Sequence, residues 1–132
     1  MNIGCSVIIY NSEGKILIAQ RCKNKKLYPL MWENIGGHLE TNETPEECIK
    51  RETKEEIGCE LSDLKLLTVT VKTEENQQFV LIAFSGRISG EIYLKLDEIE
   101  QVKWISKEEL DIFDFCFNCR KEIDEFFEKN VI

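Results

Sequence analysis

The sequence predicts an α/β fold in which a mixed sheet lies between helices. Three observations predict it. Strands rich in β-branched residues open the chain, a well-capped helix interrupts them near the middle, and further strands precede a last helix. The 132 residues carry no repeat, low-complexity tract or Pro/Gly/Ser linker, so residues 1–132 read as one domain.

Ile3 to Tyr10 is β-branched and suits a strand. Asn11-Ser12-Glu13-Gly14 is a turn signal, and Lys15 to Gln20 should complete a hairpin. Residues 21–31 read as an irregular basic loop. Trp32 to Ile35 suits a short strand that Gly36-Gly37 breaks. Thr44 and Glu47 form a capping-box pair, Pro45 stands at the first helical position, and Gly58 is placed to end the helix. Leu64 to Thr73 and Phe79 to Ile88 are two strands linked through Glu74 to Asn76. Ile92-Tyr93-Leu94 and Val102 to Ile105 are shorter ones. Ser106 with Glu109 is a second capping box, which predicts a short helix after Ile105. Phe113 to Lys129 is expected as the last helix, with Phe117, Ile123, Phe126 and Phe127 as core contacts.

Hydrophobic residues make up 42% of the chain, enough for a core without disulfide or metal staples. No run approaches the length of a membrane span, and Met1-Asn2-Ile3-Gly4-Cys5 does not read as a signal peptide, so a cytoplasmic location is expected. With 25 acidic and 17 basic residues the net charge is -8, which argues against a long nucleic acid as partner. A small anionic substrate stays open, because a bound cation can supply positive charge. The six cysteines are expected as reduced thiols. Cys116-Phe117-Asn118-Cys119 lacks two further ligands for zinc, and the single histidine, His38, is distant in sequence.

The chemically informative segment is Arg51-Glu52-Thr53-Lys54-Glu55-Glu56. On a helix turning about 100° per residue, Glu52, Glu55 and Glu56 share one side. Glu52 and Glu56 fall within the apolar arc of Ile49, Thr53 and Ile57, with Glu55 at its edge. Lys50, Arg51, Lys54 and Glu47 take the opposite side. Two carboxylates therefore point toward the sheet, where an unpaired charge is costly. A divalent metal with oxygen ligands would stabilise them, and so would buried ion pairs.

Gly37, Glu43 and the run Arg51-Glu52-Thr53-Lys54-Glu55-Glu56-Ile57-Gly58-Cys59 resemble the Nudix box. Every fixed polar and glycine position of that pattern is present: Gly37, Glu43, Arg51, Glu52, Glu55, Glu56 and Gly58. Thr53 and Cys59 stand where the family prefers bulky aliphatic residues. The resemblance implies a Nudix-type α/β/α sandwich with a central mixed β-sheet. It implies Mg²⁺, with Mn²⁺ as an alternative, bound by Glu52, Glu55, Glu56 and the carbonyl of Gly37. One of the catalytic glutamates, Glu52 or Glu55, would orient or deprotonate the attacking water. Arg51 and Glu43 would form the ion pair that ties loop to helix.

Outside the box, related proteins place an additional metal ligand in the region of Glu98 and Glu100; Glu98 is the preferred candidate. Arg21 is a candidate for contact with a substrate phosphate, and His38 for a phosphate hydrogen bond. Tyr28, Trp32 and Phe79 are candidates for stacking on a base, although packing is the expectation for Trp32 and Phe79. The implied activity is hydrolysis of a diphosphate linkage in a nucleoside diphosphate derivative, with a nucleoside triphosphate as first choice. Nucleotide sugars and dinucleotides are alternatives. The partner is a small nucleotide-like molecule, and the protein is expected as a monomer or homodimer. A nucleotide-binding sensor of the same fold is one rival. A diphosphate isomerase is another, which would need a catalytic cysteine near the front of the box and a longer chain.

Overall fold

The computed structural model of the chain describes residues 2–129. Met1 of the N-terminal segment and residues 130–132 of the expected domain lie outside them. Seven strands form one sheet, with a helix on each face. β1 (Asn2–Tyr10) runs parallel to β6 (Gln77–Ser89), and the other pairings between the described strands are antiparallel. On its other side β1 is shared. Its first half pairs with β4 (Ile35–His38), and its last two residues pair with β2 (Ile16–Arg21). β2 in turn pairs with β3 (Trp32–Glu33) and with β7 (Ile99–Ile105). β5 (Glu60–Glu74) forms a long hairpin with β6, turned by Glu75 and Asn76, both with positive φ.

The two-residue period of the strands divides the core. Val7 and Ile9 of β1, with Leu17 and Ala19 of β2, pack under Ile49 and Ile57 of α1 (Pro45–Ile57). Ile8, Ile16 and Ile18 face the other way, toward Ile123 and Phe126 of α2 (Cys119–Lys129). The result is the expected α/β/α arrangement.

α1 starts and stops as its sequence directs. The Thr44 hydroxyl accepts from the Glu47 N–H at 3.1 Å, and the Glu47 carboxylate accepts from the Thr44 N–H at 2.9 Å. Gly58 ends the helix at φ 72°, a conformation that glycine adopts without steric cost. Buried Thr53 is satisfied by donating its hydroxyl to the Ile49 carbonyl at 2.7 Å, so it packs where an aliphatic residue would.

Four expectations are corrected. Gly36-Gly37 does not break a strand; both residues lie within β4. A Cβ on Gly36 would sit 2.3 Å from the Cys5 carbonyl oxygen, so glycine here permits the close approach of β4 to β1. Ile92–Leu94 is not a strand, although the Tyr93 N–H donates to the Ile57 carbonyl and ties this loop to the end of α1. The last helix starts at Cys119 rather than at residue 113, and a 3₁₀ helix spans Lys107–Ile112 before it. Residues 113–116 are instead held along β3. The Trp32 N–H donates to the Asp114 carbonyl, and the Cys116 N–H donates to the Trp32 carbonyl. Phe117 is 55% exposed with φ 55°, so it is not a core residue.

Candidate active site

The end of α1, the β4 strand and the loop before β7 bring the predicted carboxylates together. Glu56 is nearly buried, and its carboxylate accepts from the backbone of Gly36. Burial, followed by the charges of Glu52, Glu33 and Glu98, pushes its acid up to about 9. Glu52 lies against β4, where a Cβ on Gly37 would fall 2.5 Å from its carboxyl carbon. Gly37 is thus a cradle that the Glu52 carboxylate fills. Burial also raises the Glu52 acid, against the lowering effect of Arg51. Glu55 sits at the exposed outer edge of the group.

Arg51 is the hub of the cluster. The helical projection assigned it to the solvent side, but its guanidinium folds back over the loop, leaving 23% of the side chain exposed. Its Nε and Nη2 donate to the two oxygens of Glu43, at 2.6 and 3.1 Å. Nη1 reaches Glu52 at 2.6 Å and Glu55 at 3.3 Å, and Nη2 also donates to the His38 carbonyl at 3.2 Å. Glu43 takes a further bond from the Glu40 N–H. These bonds to its charged form, those of Arg51 foremost, hold the Glu43 acid down at about 2. The expected ion pair between loop and helix is therefore bidentate. His38 itself is exposed; its carbonyl, rather than its ring, takes part in this network.

Glu98 lies between Lys25 and Lys95, at 3.7 and 3.8 Å, and its charge acts on Glu56, Glu52 and Glu33. Glu100 is exposed.

Glu33 was not singled out by sequence. In β3 it pairs with Ala19 and faces α1, and its carboxylate accepts from Arg21 Nη1 at 2.9 Å. Burial is the main cause that raises its acid, with Arg21 acting the other way. The available signal was an acid inside the apolar run Trp32 to Ile35. Arg21 is committed to structure on three sides. It also donates to the Leu27 carbonyl at 3.0 Å, and its guanidinium lies 5.1 Å from the centre of the Phe117 ring. Trp32 is buried edge-on to Phe113, as expected of a packing residue.

This donor set fits a hard divalent cation. It offers several carboxylates, one of them buried among like charges, beside a glycine strand that permits close approach. Among the described residues, no three His, Cys, Asp or Glu side chains surround one point at ligating distance. All six thiols are free and buried. Cys48 donates to the His38 carbonyl, and burial raises its thiol, as it does that of Cys5. No helix among the described residues is long and apolar enough to cross a membrane.

The family model for the NUDIX domain matches residues 2–126. Isopentenyl-diphosphate Delta-isomerase of Klebsiella pneumoniae is 25% identical over 114 residues, covering 80% of this chain and 61% of that protein. The protein of the same name from Salmonella paratyphi B is 27% identical over 111 residues, with 79% and 61% covered. The chain thus spans about three-fifths of the length of these curated relatives. A MutT NUDIX hydrolase from Burkholderia pseudomallei superposes with TM-score 0.78 at 24% identity, covering 94% of this chain and 96% of that one. The NUDIX domain of Shewanella oneidensis NrtR, complexed with ADP ribose, superposes with TM-score 0.77 at 16% identity, covering 97% and 86%. At these identities the structural likeness is one of fold. A family match over nearly the whole chain, falling on the residues that build the carboxylate cluster, places this protein in the Nudix family.

Proposed function

We propose that the chain is a Mg²⁺-dependent hydrolase of a diphosphate linkage in a nucleotide-like substrate, with a nucleoside triphosphate as the first substrate to test. The observation that carries this reading is the gathering of Glu52, Glu33 and Glu98 around Glu56, whose carboxylate takes a backbone bond from Gly36. The nearby cations are committed to single carboxylates, Arg51 to Glu52 and Arg21 to Glu33, and a divalent ion bound by several of the acids would offset the rest.

Glu52, Glu55, Glu56, the Gly37 carbonyl and Glu98 would hold the ion. Bound there, it would supply positive charge to offset that of the diphosphate and make water a better nucleophile. The protein supplies the rest. Glu52 or Glu55 takes the proton of the attacking water. Arg51, braced by Glu43, fixes the direction of both carboxylates, the kind of support that keeps ligands in place. Arg21, held by Glu33, directs positive charge at a phosphate, and His38 is exposed at the entrance to contact another.

A second reading, isomerisation of a prenyl diphosphate, comes from the name of the curated relatives. It is disfavoured by the thiols. Cys5 and Cys48, the two beside the front of the box, are buried, and burial raises both thiols. Cys22 is buried too. None is presented as a reactive group.

The test is a substrate screen with Mg²⁺ over nucleoside triphosphates, nucleotide sugars, dinucleotides and a prenyl diphosphate, with products identified in ¹⁸O-labelled water. Hydrolysis should place one ¹⁸O on a phosphoryl product and vanish in Glu56→Gln. Conversion of the prenyl diphosphate without ¹⁸O uptake, or activity retained in Glu56→Gln, would overturn the reading.

A further inference from the structure

β5 is the last strand of the sheet, and among the described residues no strand covers its outer side. It runs for 15 residues, and native folds rarely leave so long an edge bare. Lys129 blunts it at one point, donating to the Leu67 carbonyl at 2.6 Å. Beyond that point lies Thr68-Val69-Thr70-Val71-Lys72, whose two faces are unlike. Val69 and Val71 stand opposite Ile82 and Val80 on the α1 face, and they are 53% and 61% exposed. Thr68 stands opposite Ala83 on the α2 face. There Thr68 and Thr70, with Asn118, Lys121, Glu122 and Glu125, line a cavity of about 120 Å³. Glu122 is answered by Ser6 and Asn34, but Glu125 is not. Its Oε2 is buried with no hydrogen-bond partner among the described residues. Lys121 lines the same cavity, yet the ion pairs of α2 among the described residues are those of Arg120. A buried acid left in that state is costly until a cation reaches it.

We infer that the free edge of β5 is an interface for a second copy of this chain, paired antiparallel about a two-fold axis at Thr70. In that register Thr70 faces its own counterpart, Val69 faces the partner's Val71, and Thr68 faces the partner's Lys72. Each feature of the edge is thereby matched. The exposed valines form two cross-strand pairs on the α1 face, a stabilising β-branched arrangement. On the α2 face the partner's Lys72 stands beside Thr68, at the wall of the cavity, and its flexible four-carbon stem carries the ammonium toward Glu125. Lys72 is available for this. Its own contact is a surface pair with Glu74 at 3.3 Å, a kind that stabilises little. Thr68 to Lys72 holds no other charge, so the pairing sets no like charges opposite one another even though each chain carries -8. The two-fold axis repeats both contacts. A foreign strand would supply backbone bonds alone, whereas a second copy brings its valines and its lysine to the positions that this edge requires.

The test is sedimentation velocity on the full chain over a range of concentrations, for wild type, K72Q and E125Q. Wild type should dimerise as concentration rises. K72Q and E125Q should each weaken the dimer at least about tenfold, the scale for removing one partner of a buried charge pair, with native circular dichroism. Mixing K72Q with E125Q rebuilds one complete contact per dimer, so the mixture should associate more tightly than either variant alone. The register is read separately. Under mild oxidation T70C should cross-link copy to copy, because residues directly opposite in an antiparallel pair lie within disulfide reach, whereas T68C should not. The six native thiols are buried and leave a quiet background. The interface is overturned if wild type stays monomeric at high micromolar concentration, whether or not the edge then captures a peptide from elsewhere. It is also overturned if the dimer ignores K72Q and E125Q, if mixing them brings no gain, or if T68C cross-links as readily as T70C. These readouts are mass and register, so they stand apart from any turnover.

Discussion

Two glutamates on opposite faces of the same sheet, Glu122 buried and Glu56 partly so, are treated in opposite ways. Glu122 on α2 is 5% exposed, and its Oε1 accepts from the Ser6 hydroxyl at 2.8 Å and the Asn34 amide at 3.1 Å. Glu56 on α1 takes a backbone bond from Gly36 and otherwise faces the charges of Glu52, Glu33 and Glu98. Burial raises both acids. The difference lies in what answers the burial. On the α2 side two neutral donors complete the site, so the carboxylate is a structural member of the core. On the α1 side the neighbours aggravate the cost, and in the function proposed above a cation would complete the site. A buried acid is informative only together with its partners.

The sharpest test of that contrast is the pair Glu56→Gln and Glu122→Gln. Glu56→Gln should lower kcat by about 10³-fold, roughly 4 kcal/mol of transition-state stabilisation. It should also raise the melting temperature in the absence of metal. The Glu56 acid is raised from 4.5 to about 9, so its folded-state protonation is favoured. Stability is full below the unfolded value and is lost as pH climbs from 4.5 toward 9. Glutamine removes this loss. The variant should therefore gain stability over wild type at pH 8 but not at pH 4, as read by chemical denaturation. Equal curves at both pH values would show that Glu56 is solvated.

Next in size is Gly36→Ala, which disturbs the strand whose backbone donates to Glu56. The added Cβ meets main chain, 2.3 Å from the Cys5 oxygen and 3.0 Å from the Ser6 Cα. These atoms cannot rotate away, so β4 must separate from β1. A loss of about 2–4 kcal/mol is expected in denaturant titration, the range for a strained or overpacked core position. A smaller effect follows from Arg51→Lys. Lysine keeps the charge and loses the fork that spans both Glu43 oxygens. Glu52 and Glu55 would keep a counter-charge and lose their direction. Activity should drop about 10–100-fold, the scale for removing outer support from ligands, with KM nearly constant. A change in KM alone would assign Arg51 to substrate binding.

The α1 side was far more legible in the sequence than the α2 side, for a physical reason. Thr44, Pro45, Glu47 and Gly58 act on backbone within one turn, so their spacing specifies α1 to the residue. The Glu43–Arg51 pair and the inward aspect of Glu52 and Glu56 follow from helical periodicity and a motif confined to Gly37–Cys59. Glu33 and Glu122 answer to partners remote in sequence: Arg21 across a hairpin, and Ser6 some 116 positions away. The same limit explains residues 113–118. Their aromatic spacing suits a helix, but hydrogen bonds between Trp32, more than 80 residues earlier, and Asp114 and Cys116 hold residues 114–116 along β3, and residues 117–118 turn into α2. Local signals reveal local structure, and the second face of a sheet is assembled last along the chain.

Glu122→Gln should give the smallest effect, and it is the one that isolates the α2 side. The glutamine oxygen can still accept from Ser6 and Asn34, so the packing is retained. What disappears is the ionisable proton. The Glu122 acid is raised by burial, and the Ser6 and Asn34 bonds lower it only in part. Wild type is therefore at full advantage below about pH 4.5, where both states are protonated, and loses stability as pH rises toward the folded value. Glu122→Gln should therefore gain stability over wild type at pH 8 relative to pH 4, as read by denaturant titration. Because this carboxylate has two donors of its own, kcat and KM should stay at wild-type values throughout. If Glu122→Gln instead abolished turnover as Glu56→Gln is expected to, the two faces would not be separable, and the carboxylate on α2 would belong to the same machinery.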